Sequence, residues 1–123
     1  MMAEITVVNR YVLRDRAGFG AAVAALVARV RDQGHHGVLA YRFYHAGPDE
    51  GRAVVRYSDP GAWVGHHDLI MGWPEMAALR ASADLAKVEL FGPISPAMQD
   101  WIDRMGLAAK VRHRGEPLAG FQR

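Results

Sequence analysis

Hydrophobic and polar positions recur with two different periods along the chain, and each change of period marks a new element. Over residues 4–13 both faces of an alternating pattern hold apolar residues, which predicts a strand that is central or covered on both sides. Residues 16–33 carry apolar side chains at steps of three and four, so they predict a helix with one apolar stripe. Asp15 is the expected N-terminal cap of this helix, and Gly34 is its expected left-handed terminator.

The chain up to residue 105 continues to alternate between strands and helices. Two β-rich runs, residues 38–45 and 52–58, flank a turn-rich bridge and predict a hairpin. A second helix then starts at Asp59-Pro60, where a carboxylate cap precedes a proline at the first helical position. Gly72-Trp73-Pro74 is expected to break this helix, and a short helix through Met76, Leu79 and Ala83 and a strand over residues 85–91 follow. The last predicted helix is capped by Ser95 and ends at Gly106. Its apolar face carries Met98, Trp101, Ile102 and Met105.

The order β-α-β-β-α-β, followed by one more helix, predicts an α+β fold with the split β-α-β arrangement of ferredoxin-like domains. Two helices cover only one face of a four-stranded sheet, so the other apolar face needs a partner. We expect that partner to be a second copy of the chain, related by a two-fold axis. The expected domain spans residues 3–105, and residues 106–123 form a basic tail, expected to be flexible or to lie on the partner subunit.

Composition narrows the function classes. The chain has 123 residues, of which 50% are hydrophobic and 23% charged, as is typical of one globular domain. The absence of cysteine excludes disulfides, thiol catalysis and iron–sulfur clusters. No apolar run approaches the ~20 residues of a membrane span and no signal peptide opens the chain, so a cytoplasmic protein is expected. The net charge of +2 arises from the tail, which has five basic residues and one acidic residue from position 104 onward; neither nucleic acid nor a membrane is an expected partner.

One segment resembles a known family. The run Tyr57-Ser58-Asp59-Pro60-Gly61-Ala62-Trp63-Val64-Gly65-His66 is similar to the strand-to-helix signature of antibiotic biosynthesis monooxygenase domains. The stretch 37–44 resembles the second strand of that family, and Gly92-Pro93 resembles its exit from the last strand. The resemblance implies a dimeric α+β barrel. Many relatives have a glutamate two residues before the aromatic at Tyr57, whereas this sequence has Val55 there.

The second helix carries the candidate chemistry. His66 stands at the family position, and it shares or borders one helical face with Trp63 and His67. Histidine is suited to proton transfer near neutral pH, so we predict His66 as the catalytic base; a hydrogen-bonded core histidine is the alternative. The other candidates are Asn9 and Arg56, which would orient oxygen atoms, and the predicted substrate-binding walls Trp63, Trp73, Tyr41, Tyr57 and His67.

Other chemistries find little support in the sequence. His35-His36 and His66-His67 are adjacent pairs whose side chains point in different directions, so no metal site is predicted. No glycine-rich dinucleotide motif occurs, and flavin and nicotinamide are not implied. Asn9-Arg10 resembles the first strand of haem-degrading relatives. However, those relatives place an iron-binding histidine about ten residues after a tryptophan, and Trp73 stands there. No cofactor is therefore expected.

Together with the shared helical face of His66 and Trp63, the resemblance implies a homodimeric, cofactor-independent monooxygenase that acts on an aromatic or polyketide-like molecule with molecular oxygen. Two alternatives remain. One is a small-molecule-binding or stress-associated barrel without catalysis, which would apply if Trp63 and Trp73 filled the space between helices and sheet. The other is a polyketide isomerase or cyclase, which would use the same pocket and base without oxygen.

Overall fold

A single sheet with the strand order β2-β3-β1-β4-β5 organises the chain, in a computed structural model that describes residues 3–123. All neighbouring strands are antiparallel except β4 and β5, which are parallel. The elements in chain order are β1 (Ile5–Leu13), α1 (Arg16–Gln33), β2 (Val38–Gly47), β3 (Glu50–Tyr57), α2 (Pro60–Ile70), α3 (Pro74–Ser82), β4 (Ala83–Phe91), α4 (Pro96–Arg104) and β5 (Val111–Gly115). The predicted α+β fold of ferredoxin-like topology is confirmed, with β1 at the centre.

Short polar side chains fix where three of the helices begin. Asp15 accepts a hydrogen bond from the Gly18 amide at 2.9 Å, Asp59 accepts one from the Ala62 amide at 2.9 Å, and Ser95 accepts one from the Met98 amide at 3.1 Å. Each cap satisfies an amide that has no partner within its helix. All three caps follow from the sequence pattern, and α2 therefore starts where Asp59-Pro60 predicts.

The four helices cover one face of the sheet and leave the other open. The core lies between the helices and the covered face of the sheet. β1 contributes Ile5, Val7, Tyr11 and Leu13, α1 contributes Phe19 and Leu26, and α4 contributes Met98, Trp101 and Ile102. On the opposite side of β1, Val8 is half-buried and Val12 is exposed. The apolar residues on the second face of β1 are thus uncovered within one chain.

Several local predictions need correction. Gly34 has a φ of −81°, so it is not left-handed. A side chain there would meet the Val30 carbonyl oxygen at 2.3 Å, so glycine permits the close approach of the two backbones. Ala83 belongs to β4 and not to the short helix before it. Met105 lies after α4 and is exposed, whereas Gly106, with a φ of 69°, does follow the end of that helix in the left-handed conformation.

The segment after residue 105 also differs from expectation. Residues 111–115 form β5, which pairs with β4 through registers such as Val88 with Val111. Arg114 adds an ion pair with Glu89 at 3.0 Å. The prediction of a flexible or partner-bound tail is therefore wrong for these five residues, because their backbone groups complete the exposed edge of β4.

No helix within residues 3–123 has the length and apolar character needed to cross a membrane.

Candidate active site

A cavity of about 370 Å³ lies between the helical layer and the β1–β4–β5 end of the sheet. Its aromatic wall consists of Trp63 and His67 from α2 and Trp101 from α4. Asn9 and Tyr11 reach it from β1, and the rest of its lining is mostly apolar: Met71, Met76, Leu79, Ala83, Leu85, Val88, Met105, Leu107 and Val111. A largely apolar cavity with a few polar groups is the usual form of a small-molecule site.

The aromatic wall is a cluster of three rings. The ring centroids of Trp63 and His67 are 4.2 Å apart, and the Trp101 ring meets the Trp63 ring edge-on at 5.2 Å. The Trp101 indole Nε1–H donates to the Asp68 carboxylate at 2.9 Å, which ties α4 to α2. Because aromatic contacts and one charge-assisted hydrogen bond hold these rings, the wall is preorganised.

His67 lines the cavity, and one backbone contact fixes the tautomer of its ring. Its Nδ1 lies 2.7 Å from the Trp63 carbonyl oxygen, one helical turn earlier. A carbonyl oxygen can only accept, so Nδ1–H donates and Nε2 keeps its lone pair. Burial lowers the pKa of His67 to about 4, although the Trp63 carbonyl and the nearby Asp68 carboxylate act in the opposite direction. The imidazole is therefore neutral at pH 7 with Nε2 able to accept a proton.

Asn9 and Tyr11 supply donors on the sheet side. They are two positions apart on β1, so their side chains lie on the same face of the strand, and both line the cavity. Burial raises the pKa of Tyr11 to about 12, and the adjacent Asn9 amide partly offsets this rise by hydrogen bonding. The register between β1 and β4 shifts between Arg10 and Tyr11. Such bulges redirect side chains and are frequent beside active sites.

His66, the predicted base, lies elsewhere. Its side chain is 1% exposed and packs between the Tyr41 and Tyr57 rings at centroid distances of 5.2 and 5.7 Å. Its Nδ1 is buried without a hydrogen-bond partner within residues 3–123. Burial lowers the pKa of His66 to about 3, and the neighbouring His67 and His35 add to the effect. The structure therefore brings His67, not His66, to the cavity.

The other predicted site residues divide in the same way. Asn9, Trp63 and His67 line the cavity, whereas Arg56 lies on the open sheet face, where it pairs with Glu4 at 2.9 Å. Tyr57 is buried in the core. Tyr41 lines a separate surface groove beside α1 and β2. The Trp73 ring lies under the Arg29 guanidinium, 4.1 Å from it, and does not fill the cavity.

Some lining residues were missed by sequence reasoning. Tyr11 shares a strand face with Asn9, and that spacing could have identified it. Trp101 lies on the predicted apolar face of α4, and nothing in that pattern separates a cavity residue from a core residue. Nothing in the pattern signalled Leu107, Lys110 and Val111, because they reach the cavity only through the pairing of β5 with β4. Within residues 3–123, no group of three or more histidine, aspartate and glutamate side chains is arranged to hold a metal ion.

Comparison with known proteins places the fold. No family profile and no curated protein matches the sequence. Among solved structures, MupZ from Pseudomonas fluorescens is similar, with 20% identity, a TM-score of 0.75, and coverage of 98% of this chain and 94% of that one. SnoaB from Streptomyces nogalater, a cofactor-independent oxygenase, has 20% identity and a TM-score of 0.63 over 75% of this chain and 94% of its own.

A third similar structure carries the family's name. It is a Caulobacter crescentus protein provisionally named an antibiotic biosynthesis monooxygenase, with 19% identity and a TM-score of 0.62 over 72% of this chain and 88% of that one. At such identities the likeness concerns the fold alone. The chain thus has the fold of antibiotic biosynthesis monooxygenase-like proteins, as the signature around Tyr57–His66 predicts.

Proposed function

We propose that the chain is a cofactor-independent monooxygenase that oxidises an aromatic or polyketide-like small molecule with molecular oxygen. The observation that carries the proposal is the state of His67: it is neutral, fixed in the Nδ1–H tautomer by the Trp63 carbonyl, and placed in the wall of an apolar cavity. Such a group can remove a proton from a substrate that is enclosed by aromatic rings. The fold shared with SnoaB, a cofactor-independent oxygenase, supports the same reaction class.

In the proposed reaction the substrate is its own reductant. His67 Nε2 takes a proton from an activated CH₂ group and leaves an enolate or phenolate. The carbanion passes electrons to O₂, and a carbon–oxygen bond forms to give a peroxide anion. His67 returns its proton to this anion, and the resulting hydroperoxide loses water to give a carbonyl. The CH₂ group and O₂ thus become C=O and H₂O, with no electron from the protein.

Charge separation in the cavity assists the first step. A histidine with a pKa of about 4 is a weak base in the empty site. Deprotonation, however, forms an imidazolium and an enolate in contact, and opposite charges attract strongly where water is excluded. In this proposal the Asn9 amide and the Tyr11 hydroxyl, both in the cavity lining, donate to the developing enolate oxygen.

We also propose that the chain acts as a homodimer through the open face of the sheet. This face carries Val8, Val12 and Val54 among charges of both signs, such as Glu50 and Arg52, which form an ion pair at 2.8 Å. Replacing Val54 with arginine should yield monomers in sedimentation velocity, since it puts a charge at the centre of the face. A wild-type chain that sediments as a monomer at micromolar concentration contradicts the dimer.

The experiment for the reaction uses anthrone as substrate and measures oxygen uptake together with product formation. His67→Gln should reduce kcat by about 100-fold or more, the usual effect of losing a general base. His66→Gln is the matched comparison, since it changes the adjacent histidine, and it should retain most of the activity. If the His66 variant is inactive and the His67 variant is active, His67 is not the general base, and His66 is.

A cyclase or isomerase is the second candidate function. His67, Asn9 and Tyr11 all line the cavity, and enolisation of a substrate by these three groups needs no oxygen. This observation favours the cyclase or isomerase. Product formation from an enolisable polyketide mimic without oxygen uptake would favour this candidate. If the mimic binds in the cavity and no product forms from it or from anthrone, the protein is a non-catalytic small-molecule-binding barrel.

A further inference from the structure

The cavity lining contains more positively charged than negatively charged side chains. Three charged side chains line it: Arg80 from α3, Asp84 from β4, and Lys110 just before β5. Asp84 forms an ion pair with Arg14, so its charge is already neutralised. Within residues 3–123, neither Arg80 nor Lys110 lies within ion-pair distance of a carboxylate. The cavity therefore carries an excess of positive charge.

Both cations belong to the rim, not to the interior. Arg80 and Lys110 are exposed, whereas the inner lining residues Leu79, Val88 and Trp101 are buried. The position of Lys110 is fixed by its backbone, since its carbonyl oxygen accepts from the Val88 amide at 2.9 Å. A long aliphatic stem can cover apolar surface while its charged head stays in water. The site thus has an apolar interior and a positively charged mouth, which is formed by Arg80 and Lys110.

This arrangement is complementary to a particular kind of molecule. An apolar ring system fills the interior, and an ionised acid on it stays at the mouth, where it keeps part of its hydration. A neutral substrate would leave both cations without a counter-charge, whereas a cationic one would be repelled. Ionised groups at such partly exposed positions attract by about two- to fivefold in affinity per pair, and salt weakens the attraction.

We infer that the substrate is an aromatic or polyketide-like acid whose ionised oxygen group is bound by Lys110 and Arg80 at the mouth of the cavity. The inference rests on the proposed function only in taking this cavity as the substrate site. It gives the segment after α4 a second role beyond closing the sheet edge, because that segment supplies Lys110.

Two fluorescent probes with the same ring framework test the inference. 1-Anilinonaphthalene-8-sulfonate is anionic, and N-phenyl-1-naphthylamine is its neutral counterpart. The sulfonate should bind several-fold more tightly at low salt, and this advantage should shrink at 0.5 M NaCl. Lys110→Gln and Arg80→Gln should each weaken sulfonate binding by about two- to fivefold and leave the neutral probe unchanged.

The chain offers a matched control in its only other lysine, Lys87, which lies on β4 beside Val8 and Arg52 on the open face. Lys87→Gln should change neither affinity, and circular dichroism should show the wild-type melting temperature for the Lys110 and Arg80 variants. Equal affinities for the two probes, or a Lys110 variant that weakens both alike, would overturn the inference.

A blocking variant separates this failure from failure of the proposed function. Met105→Trp places a large ring at the rim, where Met105 lines the cavity and is 43% exposed. It should weaken both probes. If it weakens both while the Lys110 variant alters neither, the cavity stands as a binding site and only the acid preference is wrong. If it weakens neither, the cavity is not the binding site, and the inference and the site of the proposed reaction fail together.

Discussion

His66 makes the stability of the fold depend on pH in a way that one substitution can isolate. Its pKa is lowered from an ordinary value of 6.5 to about 3, because the buried ring cannot be charged without losing its hydration. As the pH falls below 6.5, His66 therefore binds a proton in the unfolded chain but stays unprotonated in the folded chain. Stability is highest above pH 6.5 and declines through the window down to about pH 3.

The size of the effect follows from proton linkage. Between pH 7 and pH 5, one such histidine lowers the free energy of unfolding by about 2 kcal/mol. His67, with a pKa of about 4, contributes a similar loss over the same interval. The lowered carboxyl pKa values of Glu4, Glu50 and Glu75 all lie below 4.5, so these groups add little in this range.

Urea unfolding followed by circular dichroism at pH 7 and pH 5, at one protein concentration, measures the loss. The two histidines together should remove about 4 kcal/mol from the wild type, whereas His66→Leu should lose only about 2 kcal/mol. His36→Leu is the control, since His36 is exposed, and it should behave as the wild type. A His66 variant that loses as much stability as the wild type would refute the reasoning.

Three further predictions concern single contacts, each read as the free energy of unfolding at pH 7. Trp101→Phe removes the hydrogen bond to Asp68 and part of a buried ring, and it should cost about 2–4 kcal/mol. Asp68→Asn keeps both an acceptor and the ring, so it should cost less. Asp59→Ala removes the cap of α2 and should cost about 1 kcal/mol, whereas Asp59→Ser should restore most of it. Gly51→Ala should cost about 1–3 kcal/mol, because its new methyl group would meet the buried Phe19 ring at 2.6 Å; an unchanged midpoint contradicts the tight packing.

The sequence predicted the elements better than the site. Caps such as Asp59 and breaks such as Gly72-Trp73-Pro74 act locally, so the bounds of α2 could be read from neighbouring residues. The choice between His66 and His67 is not local. The two side chains lie about 100° apart around the helix, and only the packing of α2 against the sheet and α4 decides which one faces the core. β5 was missed for a related reason: its five residues have little apolar periodicity, and the edge of β4 makes them a strand.

The burial that keeps His67 neutral, and so suits it to the proposed role of base, also limits the pH range in which the proposed reaction can run. By its own titration, His67 would stay an unprotonated base down to about pH 4. By pH 5, however, the two histidines have already removed about 4 kcal/mol, which is a large part of the 5–15 kcal/mol typical of a folded domain. We therefore expect activity in acid to fall through unfolding before His67 is protonated, with the loss of rate and the loss of circular dichroism occurring at the same pH. His66→Leu should then move both losses to lower pH together, and a rate that declines while the fold is intact would show that a different group titrates.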